Sequence, residues 1–273
     1  MAITTLNGVL AGFQPGQMIF KSATPTMVAG RPQSLWALAG LPGPGGYNTT
    51  INGGTYSSTS ALVNGQIPHT DPAGGLNSYL ARFQVESLTT ASTFMLADRI
   101  WDNQVATSNT SSQAITTPTW PSRDATGTTN GVGMFAAIEI SAATSATAAA
   151  LTNYTYTNQS GVSSRTGNFI DAPTAVAANA GQFYRLSLQA GDTGIQSIQS
   201  IQFSTAWTSG TVNICVYRPL AILENGANLA PNNLDPVTVG LPQLFNGVVP
   251  FLVLIPNGTT ASATIAFYME TQG

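Results

Sequence analysis

A chain with one histidine and one cysteine has few routes to covalent or metal chemistry. His69 lies in PHTDPAGG, a turn-like stretch, and any Ser/His/Asp triad would have to use it as the base. A zinc site needs more nitrogen and sulfur than His69 and Cys215 supply together. The sequence therefore predicts a partly exposed loop imidazole at 69. Cys215 sits inside the apolar run NICVYRPLAIL and reads as a buried thiol; a single cysteine rules out an intrachain disulfide.

Two acids flank an arginine in LADRIWDN, and a polysaccharide hydrolase would need two carboxylates a few ångströms apart. On a regular strand, residues four apart share a face, so Asp98 and Asp102 would stand about 13 Å from one another, beyond either catalytic separation. The four tryptophans, Trp36, Trp101, Trp120 and Trp207, could stack on sugars, but large aromatics more often fill cores and subunit contacts. In TPTWPSRD, Pro118 and Pro121 stiffen the backbone around Trp120, and Arg123 and Asp124 can pair locally or across an interface. A structural corner outweighs a ligand site there. The GPGG stretch at 43–46 lacks the strand, lysine and helix of a phosphate loop and reads as a turn. Neither a catalytic residue, a metal ligand nor a cofactor is expected.

The elements that would hold these residues belong to a chain nearly without ions. Only 7% of its 273 residues are Asp, Glu, Lys or Arg, against about a quarter in ordinary domains, and Lys21 is the only lysine. With 43% hydrophobic residues a core can still form. A surface of hydroxyls and amides loses its water far more cheaply than one of ions, which suits permanent contact with neighbouring subunits. The seven arginines are scattered, so no basic stripe exists for phosphate, and direct nucleic-acid binding is not expected. No apolar run is long enough for a membrane helix, and the N-terminus lacks a basic leader, so no membrane partner is expected. Sequons at Asn48, Asn109, Asn153, Asn158 and Asn257 follow from the abundance of Asn, Ser and Thr.

Residues 1–75 are punctuated by Gly and Pro in AGFQPGQ, VAGRPQ, AGLPGPGG, INGG and HTDPAGG, and read as a loop-rich arm. Its apolar anchors, Met18 to Phe20 and Leu35 to Leu38, would need another surface to lie on. Deleting the arm should leave a folded β domain. From Tyr79 the pattern turns to short β-branched and aromatic runs between turn clusters, the pattern of an all-β chain with little helix. The fold class predicted is all-β, sandwich or jelly-roll-like, with β regions at 76–175 and 176–273 that form either two tandem domains or one. The two series carry likenesses that either duplication of one unit or convergent β alternation would produce: YLARFQVE beside FYRLSLQA, MFAAIEI beside PFLVLIP, and ATAAALTNYTYTNQ beside SATIAFYMETQ. Phe20, Leu35, Trp36, Trp120 and Arg123 are the candidate interface residues.

The stretches ADRIWDN and TPTWPSRD, followed by NYTYTNQSGVSSRTG, LQAGDTGIQSIQS, WTSGTVNICVYRPLA, VPFLVLIP and the terminal TQG, resemble a group of tailed-bacteriophage virion proteins. TPTMVAGRPQSLWALAGLPG near the N-terminus has the same character. The resemblance implies no catalytic motif. It implies a virion protein made in the host cytoplasm, present in many copies, and acting as a decoration or cement protein of the head. Its partners would be the major capsid protein and copies of itself, as a trimer at local threefold positions. A major capsid or tail-tube subunit, and a receptor-binding or fibre protein that recognises a host surface glycan, are the alternatives.

Overall fold

The structure is a computed structural model, and it describes residues 3–49, 63–147, 151–174 and 177–273. The INGG stretch of the predicted arm and the start of the 149–157 strand candidate lie outside the described residues. The fold is all-β, as the alternation predicts. Its strands are β1 (Gln17–Lys21), β2 (Gln33–Ser34), β3 (Gly40–Leu41), β4 (Ser78–Ser87), β5 (Ser92–Val105), β6 (Gln113–Ala114), β7 (Phe135–Ala142) and β8 (Leu151–Asn158). These are followed by β9 (Arg165–Thr166), β10 (Phe183–Arg185), β11 (Ile195–Phe203), β12 (Thr211–Asn225), β13 (Asn232–Leu234), β14 (Gln243–Leu244), β15 (Pro250–Pro256) and β16 (Thr264–Gln272). Two short helices, α1 (Leu6–Ala11) and α2 (Pro236–Val239), start on the side-chain caps of Thr5 and Asp235. No helix among the described residues is long and apolar enough to cross a membrane.

Three antiparallel sheets share the chain. Sheet A runs β13-β4-β16-β1-β3 with β14 beside β4, sheet B runs β10-β7-β12-β5-β15-β2, and sheet C runs β6-β11-β8-β9. Sheets A and B each take strands from all three sequence regions, so the predicted division at 75 and 175 does not separate bodies in space. The arm is corrected most clearly. β1 is hydrogen-bonded between β16 and β3, and Leu35 and Trp36 are buried in the core. The surface this segment needs is supplied by its own chain, because Ile19, Leu35 and Trp36 are the side chains that complete the apolar layers.

The long strands β5 and β12 form the axis of the molecule. Near one end, Phe94, Leu96 and Leu223 meet Leu80, Phe83 and Tyr268 of sheet A; near the other, Trp101, Val212 and Ile214 meet Tyr154, Tyr156 and Ile198 of sheet C. Each strand carries one bulged residue, Ile100 in β5 and Leu220 in β12, each two positions past the paired residues Asp98 and Arg218. An extra residue flips the inward and outward sets beyond it and increases the local twist. That is how one pair of strands serves two separate sandwich layers.

The connectivity repeats. β4, β5, β7 and β8 correspond in order to β11, β12, β15 and β16: β4 pairs β16 as β11 pairs β8, and β15 flanks β5 as β7 flanks β12. Two of the three sequence likenesses fall on corresponding strands, MFAAIEI with PFLVLIP and the pair ending in NYTYTNQ and YMETQ. The third is corrected: YLARFQVE forms β4, whose counterpart is β11, whereas FYRLSLQA contributes the short β10 of sheet B.

Candidate functional site

The five candidate interface residues separate into one that is exposed and four that are not. Leu35, Trp36, Trp120 and Arg123 are buried, each at 1% exposure or less. They therefore hold the subunit together internally, because no neighbour can reach them. Trp36 Nε1 donates to the Gly46 carbonyl at 2.7 Å, and Gly45 lies so close to the indole that any Cβ there would collide with it. The GPGG turn has its glycine for that reason. Trp120 Nε1 donates to the Ile195 carbonyl at 2.8 Å, and its ring packs 5.7 Å from that of Trp101. This is the structural corner that the flanking prolines suggested. All four tryptophans are buried, so none offers a platform for sugar.

Arg123 and Asp124 do not pair with each other. Arg123 Nε lies 3.3 Å from Asp98 Oδ2, and its Nη2 donates to the Arg99 carbonyl. Asp124 instead accepts from the backbone and hydroxyl of Thr126 and Thr128 and from Val132 N, tying the 124–132 loop together. Against the desolvation that would raise it, hydrogen bonds from Thr128 and Thr126 hold its carboxyl below the usual range.

Asp98 and Asp102, expected on one face, are placed on opposite faces by the Ile100 bulge. Asp98 joins Arg123 and accepts from Val249 N, between the two apolar layers. Asp102 turns to the other side, where Arg99 bridges it at 3.0 Å and Glu139 at 2.7 Å beneath Trp36, Tyr47 and Phe251. Burial, and after it the Glu139 charge, pushes the Tyr47 hydroxyl well above its ordinary pKa; burial likewise raises the Cys215 thiol. Neither is poised to ionise.

The expectation for His69 is also corrected. Its side chain is fully buried, with Nδ1 2.7 Å from Glu270 Oε2 and Nε2 3.3 Å from Asp71 Oδ1. The turn-rich sequence around it gave no sign that β16 would bring a carboxylate alongside.

Phe20 is the candidate that reaches solvent. β1 alternates, so Ile19 and Lys21 point inward while Met18 and Phe20 point out at 60% and 45% exposure. Phe20 pairs with Leu41 on one side and Ile265 on the other, and Met18 pairs with Phe267. Leu41, Phe20 and Ile265 thus form one apolar row across the outer face of sheet A, with Met18 and Phe267 in the next. On the β4 side the apolar rows end on Glu86 opposite Ile265 and Gln84 opposite Phe267, and the Arg82 guanidinium lies 5.4 Å from the Phe267 ring centroid. Beneath it Lys21 donates to the carbonyls of Leu38, Pro42 and Gly43, and burial lowers its pKa to about 8. Met18 to Phe20, expected to act together as one apolar anchor on another surface, divide between the two faces of sheet A, and the period-two alternation in QMIFK is the signal that separates them. Leu41 and Phe267 gave no such signal, because only the sheet register brings them to Phe20 and Met18.

No protein-family model matches the sequence, and no curated protein matches it either.

Proposed function

We propose that this chain is a structural subunit of a tailed-phage particle, a decoration or cement protein that binds the assembled head and stabilises it. The observation that carries the reading is the apolar outer face of sheet A, on a chain with few ionic groups anywhere. A contiguous exposed apolar surface marks an interaction site, and amide and hydroxyl surroundings desolvate at little cost. The sequence resemblance to phage virion proteins supplies the setting. The partners in this reading are the major capsid protein and further copies of the chain, arranged as a trimer. Binding the assembled lattice and not its free subunits stabilises the shell by mass action.

A major capsid subunit draws no support from the described residues, whose longest helix is the six residues of α1. Glycan recognition through tryptophan loses its basis, since all four rings are interior. The test is quantitative mass spectrometry of purified virions, with heating of particles that lack the protein. Copy numbers comparable to those of the major capsid protein, and heads that burst at lower temperature without it, are expected. A handful of copies per particle would overturn the reading.

A further inference from the structure

At the end of sheet A farthest from Lys21, a cleft of about 520 Å³ opens between β16, the start of β1 and the 66–70 segment. Its volume falls in the range of small-molecule sites. Four of its lining side chains are glutamines, Gln14, Gln17, Gln66 and Gln272, and prolines 15 and 68 supply apolar wall. Their hydrogen bonding is one-sided. Gln14 Nε2 donates to the Gly12 carbonyl, Gln66 Nε2 to the Val248 carbonyl and Gln272 Nε2 to the Thr70 carbonyl. Among the described residues their amide oxygens accept nothing, and the Gln17 side chain makes no hydrogen bond. One internal N–H bond leaves an amide its oxygen and a second N–H, and Gln17 keeps all of its capacity, so the cleft offers neutral acceptors together with amide donors.

The one carboxylate in the wall is already provided for. Glu270 Oε2 lies against His69 Nδ1 and accepts from Ser78 Oγ and the Tyr268 hydroxyl, and Oε1 accepts from Gln272 Nε2. Its charge is thus shared among internal donors. What remains for a ligand is a set of uncharged amide groups, able to accept and to donate, beside the surface of Pro15 and Pro68, a match for a molecule with many hydroxyls and C–H faces.

We propose that this cleft binds a neutral saccharide. The site is separate from the sheet face that carries the assembly reading, so each can fail without the other. The experiment is saturation-transfer NMR on the full chain with maltotetraose, N-acetylchitotetraose and mannotetraose, with spermidine as a cationic probe. At least one saccharide is expected to bind at millimolar concentration and spermidine is not. Gln17→Leu, which removes no described internal hydrogen bond, is expected to weaken binding about tenfold, the worth of one well-placed hydrogen bond. Gln14→Leu should do the same, and Met18→Ser on the outer face should change nothing. Thermal melting of each variant shows whether it is folded. Absence of binding by all three saccharides, preference for spermidine, or unchanged affinity in folded Gln17→Leu and Gln14→Leu proteins would each overturn the proposal.

Discussion

Sheets A and C occupy corresponding places in a repeated connectivity, yet their outer faces differ in kind. In sheet C the outward residues of β8 are Asn153, Thr155 and Thr157, and Thr155 and Ser200 share a hydrogen bond at 2.7 Å. In sheet A the corresponding strand β16 turns Ile265 and Phe267 outward, and β1, whose place beside β8 in sheet C is taken by the two-residue β9, adds Met18 and Phe20. Folding demands the same of both sheets, an apolar inner face. Of the two, only sheet A carries apolar side chains on its far side, beside Arg82, Gln84 and Glu86 of β4, and this is the face to which the proposed function assigns assembly.

The widest separation between the two sheets should come from truncation. Removing residues 1–75 deletes β1 from sheet A together with Trp36, and loss of one buried tryptophan alone costs about 3–5 kcal/mol against a total stability of about 5–15 kcal/mol. Circular dichroism melting of the truncated chain is expected to show no cooperative transition; a folded product would mean that sheet A is complete without its N-terminal strand. Trp120→Ala, on the sheet C side, is expected to lower stability by about 3–5 kcal/mol while leaving a folded protein, measured by denaturant titration.

A surface pair sharpens the comparison. Phe20→Asp should abolish binding to heads while changing stability by no more than about 0.5 kcal/mol, because the position is exposed. Thr155→Asp on the outer face of sheet C should alter neither. Cosedimentation with heads that lack the protein distinguishes them; equal loss from both variants would erase the distinction between the two faces.

The smallest effects concern pH, and they have opposite placement. Asp192, beside sheet C, is held at about 2 by its hydrogen bonds to Arg165, opposed by desolvation and aided by Tyr156 and Asn158. Its depressed value means a contribution present above the ordinary 3.8 and lost as pH falls towards 2. Lys21 in sheet A is lowered from 10.5 to about 8, so between those values the unfolded chain binds more protons and stability rises with pH. Melting temperatures should therefore fall on the acid side in a manner removed by Asp192→Asn. They should also carry a rising alkaline component removed by Lys21→Met.

Much of the fold was legible because period-two alternation marks β4, β8 and β16, and apolar runs rich in β-branched and aromatic residues mark β5, β7, β12 and β15. The short strands β1, β2 and β3 were not, since Gly and Pro between them read as an arm and their partners lie at the far end of the chain. The bulges were equally hidden: nothing in LADRIWDN marks Ile100 as the extra residue, yet it decides that Asp98 and Asp102 face apart. Of the candidate interface residues, Phe20 is exposed and Leu35, Trp36, Trp120 and Arg123 are buried, because aromatic and arginine side chains suit a core corner and an interface equally well in sequence.

Met18 offers the most direct test of the outer face, as it is the exposed methionine among the described residues. Peroxide converts accessible methionine to the sulfoxide, which mass spectrometry reads at single residues. Rapid oxidation of Met18 in the free protein and strong protection in intact particles are expected. Equal oxidation in both, on particles shown to contain the protein, would contradict the assignment of this face to assembly.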